Sequence, residues 1–198
     1  MQQLLRRCFS GAGFSLPSPK ALNAIVKEDL LSKESSSSIA SIWTEHHAAK
    51  QDCIASTLSP TDHALLRQRG DATPYFVFPV HREQGLFTML SQFQDQYILF
   101  TYLEAFKQNP QTAPPYLVVA MYDELLVSKQ LSLVRGEIVN ELDKSEATTL
   151  LDRFLGMYLD PTRYAMVEQF NNAPATFDFE AYLDKEASSP SSSYTTTE

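Results

Sequence analysis

The sequence has few of the residues that build common catalytic sites. Its 198 residues include 2 cysteines, 6 glycines and 4 histidines. Beyond the first 13 residues, no two glycines are close enough to form a phosphate-binding loop, and the chain has no GxSxG, HExxH or paired CxxC motif. These absences argue against the usual routes to nucleotide binding, serine hydrolysis and zinc chemistry. We therefore predict that the protein is not an enzyme and has neither a cofactor nor a metal.

Long apolar runs and an excess of basic charge are also missing. No stretch reads as about 20 consecutive apolar residues, so we expect no membrane insertion. The 16 basic and 24 acidic residues give a net charge of −8, the wrong sign for neutralising nucleic acid phosphates. We therefore expect no nucleic acid partner. The length and the 43% hydrophobic content fit one ordinary soluble domain.

The N-terminal residues differ in composition from the rest of the chain. Residues 1–27 contain Arg6, Arg7, Lys20 and Lys27 and no acid, so they carry a charge of +4 and leave −12 on the remainder. The stretch MQQLLRRCFSGAGFS is basic, serine-bearing and acid-free, which is typical of a mitochondrial transit peptide. We expect residues 1–27 to be removed on import. The alternatives are a functionless terminus and, less well matched, a secretory signal.

The remaining chain divides into a linker, one domain and a tail. The serine-rich residues 28–38 are predicted to be a linker, residues 39–185 a single α+β domain, and residues 186–198 a disordered tail. Apolar spacing predicts three short helices before any strand. In the second of these helices Ile39, Ile42 and Trp43 share one side with His46 or His47. The third helix begins at Ser59 and ends at Gly70.

Between Tyr75 and Asn140 the apolar period changes to two, and β-branched and aromatic residues become common. The pattern predicts five strands: YFVFPVH, GLFTMLSQF, QYILFTYL, PYLVVAMYDEL and QLSLVRGEIV. Short connections between them indicate an antiparallel meander, and Pro79 places the first strand at an edge or a bulge. The fold class is therefore α+β: an antiparallel, mostly meander β-sheet of about five or six strands, flanked by N-terminal and C-terminal helices.

The C-terminal third carries two helix-start signals. Asp143 with Glu146 reads as a capping box, and Asp160 before Pro161 caps and opens a second helix that ends at Asn171 and Asn172. The segment FDFEAYLD adds a final short helix.

The cysteines and histidines do not form a recognisable site. Cys8 lies within the predicted transit peptide, so Cys53 would remain alone and unable to form an intramolecular disulfide. We place Cys53 near the end of a helical run, where the helix field disfavours a thiolate, so it is a poor nucleophile. His46 and His47 point about 100° apart on a helix and cannot both bind one metal.

Arg135 and Glu137 are the most informative charged pair. Two residues apart in a strand, they share a face and can form an ion pair. The pair is either structural or a polar anchor in a protein interface. A small-molecule enzyme of unrecognised type stays an alternative, and it would require these two residues to meet His81 and Asp123 in one pocket.

Six segments together carry a resemblance to a known family. In chain order they are IWTEHHAAK, FVFPVHR, LSQF with LFTYLEAFK, APPYLVVAMYDEL, LVRGEI and YLDPTRYAMVEQFNNAPATFDF. Their order and spacing resemble the mitochondrial ATP synthase assembly factors that chaperone the β subunit of the catalytic sector. The resemblance covers about residues 22–183. No single motif is decisive, but the ordered set is fairly specific.

The resemblance implies a chaperone of the mitochondrial matrix. Such a protein binds the unassembled β subunit transiently, prevents its aggregation and releases it to the α subunit during hexamer assembly, and we expect it to be monomeric when free. A permanently bound structural partner of a mitochondrial complex is the other alternative. The best surface is the helix and turn from Arg163 to Phe179. Matching the family pattern nominates seven partner-binding residues: Trp43, Arg135, Glu137, Tyr164, Phe170, Asn171 and Phe177.

Overall fold

The structure, a computed structural model, describes residues 19–188. Its strands are β1 (Cys53–Leu58), β2 (Tyr75–Arg82), β3 (Gly85–Gln94), β4 (Tyr97–Tyr102), β5 (Pro115–Tyr122) and β6 (Ser132–Ile138). They form one antiparallel sheet in the order β1, β6, β5, β4, β3, β2. Strands β2 to β6 are the five that the sequence predicts, and their meander confirms the predicted fold class.

Helices cover both faces of this sheet. Over the described residues they are α1 (Leu22–Ile25), α2 (Glu28–Leu31), α3 (Ser36–Ala48), α4 (Pro60–Ala72), α5 (Leu103–Gln108), α6 (Leu126–Lys129), α7 (Lys144–Leu159), α8 (Pro161–Asn172) and α9 (Phe179–Ser188). The predicted helix starts are confirmed, since the side chains of Ser59, Asp143 and Asp160 accept hydrogen bonds from helix amides. Within residues 19–188, none of the helices has the length and apolar content needed to cross a lipid bilayer.

The larger core lies between the sheet and the helices α4, α7, α8 and α9. Its centre is aromatic: the Phe154 ring lies 5.7 Å from that of Phe100 and stacks at 4.4 Å on that of Tyr158. Helix α4 runs two residues past its predicted end at Gly70. Gly70 does not end the helix but lies against the ring of Phe93, where a Cβ atom would come within 2.4 Å of the ring. Removing side-chain volume here lets the helix and strand approach closely.

The smaller core lies on the opposite face, under α1, α2 and α3, which we call the N-terminal layer. Leu22, Leu31, Ile39 and Trp43 of this layer are buried against β5 and β6. Residues 28–38 thus contain helix α2 and the start of α3, where the sequence predicts a linker. The burial of Leu22 likewise places the end of the predicted transit peptide inside the fold.

At the other end, α9 extends past residue 185. Glu186 is buried and lies 3.2 Å from Arg163 and 3.9 Å from Arg153, so it belongs to the folded domain and not to the predicted tail. Residues 1–18 and 189–198, which contain most of the predicted transit peptide and tail, lie outside the described residues.

Strand β1 is the element that the sequence prediction missed. Helix α3 ends at Ala48, and Cys53 begins a strand that pairs with β6, residue for residue, from Cys53 opposite Glu137 to Leu58 opposite Ser132. Our prediction that three helices precede the sheet is therefore wrong, because β1 separates α3 from α4. Only three of the six residues of β1 have large apolar or sulfur-bearing side chains. The segment forms a strand because it pairs with β6, which is distant in sequence.

Candidate interaction surface

The pair Arg135 and Glu137 lies on β6, on the face that the N-terminal layer covers. Arg135 Nη1 donates a hydrogen bond to Glu137 Oε1, and Lys20 Nζ lies 3.6 Å from the same oxygen. Burial disfavours the charged guanidinium, but the hydrogen bond and the charge of Glu137 outweigh it, so the pKa of Arg135 lies above its usual value. The predicted ion pair is thus present, with Arg135 buried and Glu137 half-buried.

His47 of α3 adds a buried imidazole beside this pair. Its Nδ1 lies 2.7 Å from the carbonyl oxygen of Trp43 and donates to it in the neutral tautomer. Burial lowers the pKa of His47 to about 4, the Trp43 hydrogen bond opposes this, and the positive charge of Arg135 adds to the lowering. Within residues 19–188, His47 Nε2 and Arg135 Nε have no hydrogen-bond partner. The N-terminal layer therefore covers two buried nitrogen atoms that lack a hydrogen-bond partner among the described residues.

Cys53 lies in the same region, directly opposite Glu137 on β1. Burial raises the pKa of the Cys53 thiol, while the positive charge of Arg135 opposes the rise. The thiol stays protonated at neutral pH and is a poor nucleophile, as the sequence predicts. The reason differs from our prediction: desolvation at the start of a strand controls this thiol, and not the field at the end of a helix.

The four residues that a small-molecule enzyme would require do not converge. His81 lies on β2, which is separated from the β6 pair by four strand spacings, or about 19 Å. Asp123 is exposed just after β5, at the opposite end of the pairing from Glu137. A cleft of about 180 Å³ beside His81 is lined by Glu146 and other residues of α7, but not by the β6 pair. The pocket geometry therefore gives no support to this alternative.

The three aromatic residues nominated from α3 and α8 are part of the core. Trp43 is fully buried, and its Nε1 donates a 3.0 Å hydrogen bond to the carbonyl of Val134. Phe170 is buried against the ring of Phe76 at 5.5 Å. Tyr164 is buried under the guanidinium of Arg69, which lies 4.2 Å from its ring centroid. These rings cannot contact a partner while the fold is intact.

The remaining nominated residues keep partial exposure. Asn171 and Phe177, at the end of α8 and in the turn after it, are half-buried, as is Glu137. They remain predicted contacts, although Phe177 also packs against the larger core. The segment from Arg163 to Phe179 is therefore partly structural, and only some of its side chains are available at the surface.

Asn171 has a structural role that the sequence did not indicate, because it hydrogen-bonds to the backbone of an edge strand. Its Nδ2 donates to the carbonyl of Tyr75 at 2.6 Å, and its Oδ1 accepts from the Tyr75 amide at 3.2 Å. Farther along the same strand, Tyr182 donates to the carbonyl of Val77 at 2.8 Å. Arg153 donates to the carbonyl of Pro79 at 3.1 Å, and Pro79 has no amide hydrogen to satisfy. Helix side chains thus cover the outer edge of β2.

Strand β1 forms the opposite edge of the sheet, and no side chain of residues 19–188 hydrogen-bonds to its outward backbone groups. The amide of Ile138 donates to the carbonyl of Asp52, so the even-numbered residues of β1 face β6 and the odd-numbered residues face outward. Among residues 19–188, the outward amides and carbonyls of Ala55 and Thr57, which are half-buried, have no hydrogen-bond partner, whereas Cys53 is fully buried. Within the part of the chain that the structure describes, the middle of this edge therefore presents free backbone donors and acceptors.

Exposed aliphatic side chains lie near this side of the molecule. Leu30 of α2 is 57% exposed, Ile42 of α3 is 43% exposed, and Val127 of α6 is 91% exposed. Helix α6 contacts the start of α3 directly, because Ser36 Oγ donates to the carbonyl of Lys129 at 2.6 Å. Ile42 is thus not on the buried side of its helix as predicted. The sequence signal for Val127 is the apolar LLV triplet, which begins at Leu125, the last residue of the predicted fourth strand.

Comparison with known proteins matches the chain to a protein family and to a curated relative. The model of a family described as ATP11 protein matches residues 12–183. A curated relative, the ATP synthase mitochondrial F1 complex assembly factor 1 of Danio rerio, is 20% identical over 167 residues, which is 83% of this chain and 55% of the relative. The chain thus spans about half the length of the curated relative that it matches.

Proposed function

Because the chain belongs to the ATP11 protein family, we propose that it is an assembly factor of the mitochondrial F1 ATP synthase. The match over residues 12–183 carries this proposal, and the printed name of the relative from Danio rerio supports it. The family match extends from before α1 to the middle of α9, so it includes both cores and both sheet edges. We assign the protein a binding role and not a catalytic one.

Within this role, we propose that the partner is the unassembled β subunit. A subunit of a ring exposes an apolar interface until its neighbour arrives, and it aggregates unless that interface is covered. The exposed aliphatics Leu30, Ile42 and Val127 provide apolar surface for such a cover. The protein would prevent aggregation and then release the subunit to α, which requires an interface of moderate affinity.

Charge supports fast association with such a partner. Residues 19–188 contain 14 basic and 23 acidic residues, so the described domain carries a net charge of −9. A field of this sign accelerates encounter with a basic surface, and added salt screens it. We therefore expect the association rate with the β subunit to fall as the salt concentration rises.

The composition of the N-terminus supports a location in the mitochondrial matrix. Arg6 and Arg7 occur in an acid-free, serine-bearing stretch, as in transit peptides. Because Leu22 is buried in the fold, we place the end of the transit peptide before Lys20 and not at residue 27.

The proposal is tested by mixing the full chain separately with isolated α and β subunits and recording light scattering. We expect a defined complex with β, suppressed aggregation of β, and no effect on α. A folded sample without effect on either subunit would overturn the proposal. Retention of the protein in the mature enzyme at fixed stoichiometry would instead favour a permanent structural partner.

A pair of exposed valines provides a matched control for the apolar surface. Val127→Asp places a charge on the 91% exposed residue of α6, and we expect it to weaken suppression of β aggregation. Val139→Asp makes the same change at an exposed residue just after β6, and we expect it to act like the unmodified chain. Equal effects of the two variants would remove Val127 from the proposed surface.

A further inference from the structure

Strand β1 lacks the features that keep an edge strand from pairing with another chain. Its sequence, CIASTL, has no charge and no proline, and its register with β6 runs without a bulge over six residue pairs. Proteins usually protect such edges with charged residues, prolines, bulges or a covering segment. In this protein the protective features, Pro79 and the hydrogen bonds from helix side chains, occur on β2.

The side chains of β1 leave room beside the strand. Ala55, Ser56 and Thr57 are small and half-buried, whereas Cys53 and Leu58 at the two ends of the strand are buried. Helix α3 packs against β1 on one face of the sheet, and α4 and α7 contact it on the other. A strand added at this edge would extend a sheet whose two faces already carry helices. The apolar side chains of the added strand would therefore be partly buried against these helices.

The charge around the edge restricts the chemistry of its occupant. Asp52 precedes β1 and is exposed, and Asp62 follows β1 in the first turn of α4, where it is half-buried and accepts a 2.8 Å hydrogen bond from Ser59 Oγ. Neither carboxylate forms an ion pair with residues 19–188. At the start of the strand Lys50, Lys144 and Arg135 act on Cys53 together with Asp52, so the acidic end of the edge is the one beside Asp62. A strand with uncharged central residues and a Lys or Arg at the flank beside Asp62 would match these surroundings.

We propose that the β1 edge binds an extended segment of the unassembled β subunit by strand addition. The outward amides and carbonyls of Ala55 and Thr57 would hydrogen-bond to a short extended segment with an uncharged centre and a basic flank beside Asp62. Backbone pairing of this kind supplies affinity with little side-chain specificity, and it is reversible. The proposal rests on the function proposed above and specifies how the partner is held.

Proline substitution tests this edge without disturbing the sheet. The amides of Ala55 and Thr57 face outward, so Ala55→Pro and Thr57→Pro remove a donor from the edge and keep every hydrogen bond to β6. Ala55→Val and Thr57→Val are the matched controls, since they add or keep a branched side chain and retain the amide. We expect each proline variant to weaken binding of the isolated β subunit about tenfold or more, and each valine variant to leave it unchanged.

Hydrogen exchange provides the second readout. In the free full chain we expect the amides of Ala55 and Thr57 to exchange fast and the amide of Tyr75 to be protected by Asn171. On addition of the β subunit, the two β1 amides should become protected. Equal binding by the proline and valine variants, or β1 amides that stay unprotected in the complex, would overturn strand addition and leave the proposed function intact.

Other occupants of the edge have distinct signatures that would also overturn the proposal. A dimer of the free chain that Ala55→Pro dissociates would show that a second copy occupies the edge. Protection of the β1 amides in the free chain that is lost on deletion of residues 1–18 would assign the edge to the protein's own N-terminus. If the unmodified chain fails to bind the β subunit at all, the proposed function fails and this inference fails with it.

Discussion

The two edges of the sheet differ in how their backbone groups are satisfied. Along β2, Asn171, Tyr182 and Arg153 provide four hydrogen bonds to outward-facing backbone atoms. Along β1, the outward groups have no partner among residues 19–188. An edge that is closed by the protein's own helices contributes to stability, whereas an open edge contributes little to it and is available for binding. Substitutions at the β2 edge should therefore change stability, whereas substitutions at the β1 edge should change binding of the partner.

The largest effect is expected at Phe170, which holds α8 against the closed edge. Its ring lies 5.5 Å from that of Phe76 and 5.3 Å from that of Phe177. Phe170→Ala should lower the free energy of unfolding by about 3–5 kcal/mol because it leaves a cavity in the core. Urea denaturation measures this loss, and Val127→Ala, at an exposed position, should change stability by less than about 0.5 kcal/mol. A small loss for Phe170→Ala would mean that α8 is not needed to close this edge.

The stability of the protein should depend on pH through His47, which lies in the N-terminal layer beside the open edge. The pKa of His47 is about 4 in the folded chain and 6.5 in the unfolded chain, so the unfolded state binds more protons between these values. The contribution of neutral His47 is fully present above pH 6.5 and is lost as the pH falls towards 4, by up to about 3 kcal/mol. His47→Gln should flatten the stability curve in this window.

The adjacent histidine is the control for this prediction. His46 is exposed on the same helix, and its charge is only a minor cause of the lowered pKa of His47, so His46→Gln should change the pH dependence of stability much less than His47→Gln does. Chemical denaturation at pH 4, 5, 6 and 7 checks both variants. If His46→Gln flattens the curve as much as His47→Gln does, the buried imidazole is not its source.

A smaller loss is expected from the amide that closes β2. Asn171→Leu removes the two hydrogen bonds to the half-buried backbone of Tyr75, which should cost about 1–3 kcal/mol. It should also accelerate hydrogen exchange at the Tyr75 amide. Asn172→Leu, at the exposed neighbouring position, should do neither. Similar results for both variants would place the closure of this edge elsewhere.

The smallest effect concerns a single hydrogen bond. Tyr182→Phe removes only the donor to the carbonyl of Val77, and it should lower the free energy of unfolding by about 1 kcal/mol. Tyr116→Phe removes a hydroxyl from a half-buried tyrosine on β5 and serves as the control. Thermal unfolding resolves the difference, and we expect neither variant to alter binding of the β subunit, since both edges keep their backbone geometry.

Much of the fold follows from local signals in the sequence. Strands β2 to β6 show period-two apolar patterns, and the capping residues Ser59, Asp143 and Asp160 mark helix starts that need no knowledge of the rest of the chain. Pro79 predicted that β2 lies at an edge or carries a bulge, because proline lacks the donor that an inner strand needs, and the edge position is the one found. These features depend on neighbours in sequence.

The features that the sequence did not predict depend on distant residues. CIASTL becomes a strand only because β6 pairs with it, and Asn171 closes an edge that lies 96 residues away. Trp43 and Phe170 would match the family pattern equally well as core residues or as partner contacts, so the motif match could not distinguish the two roles. Residues 28–38 look like a linker because the apolar surface that buries Leu31 is supplied by β5 and β6.

The pairing of β1 with β6 also sets an order for the folding of the chain. Strands β2 to β6 pair with neighbours across short connections, whereas Cys53 meets Glu137 only after a loop of more than 80 residues has closed. We expect the five-stranded meander to form first, with the outer side of β6 unpaired, and β1 to add to it last. In its own folding the protein thus completes its sheet by capturing a strand at an open edge, and this moves the open edge from β6 to β1.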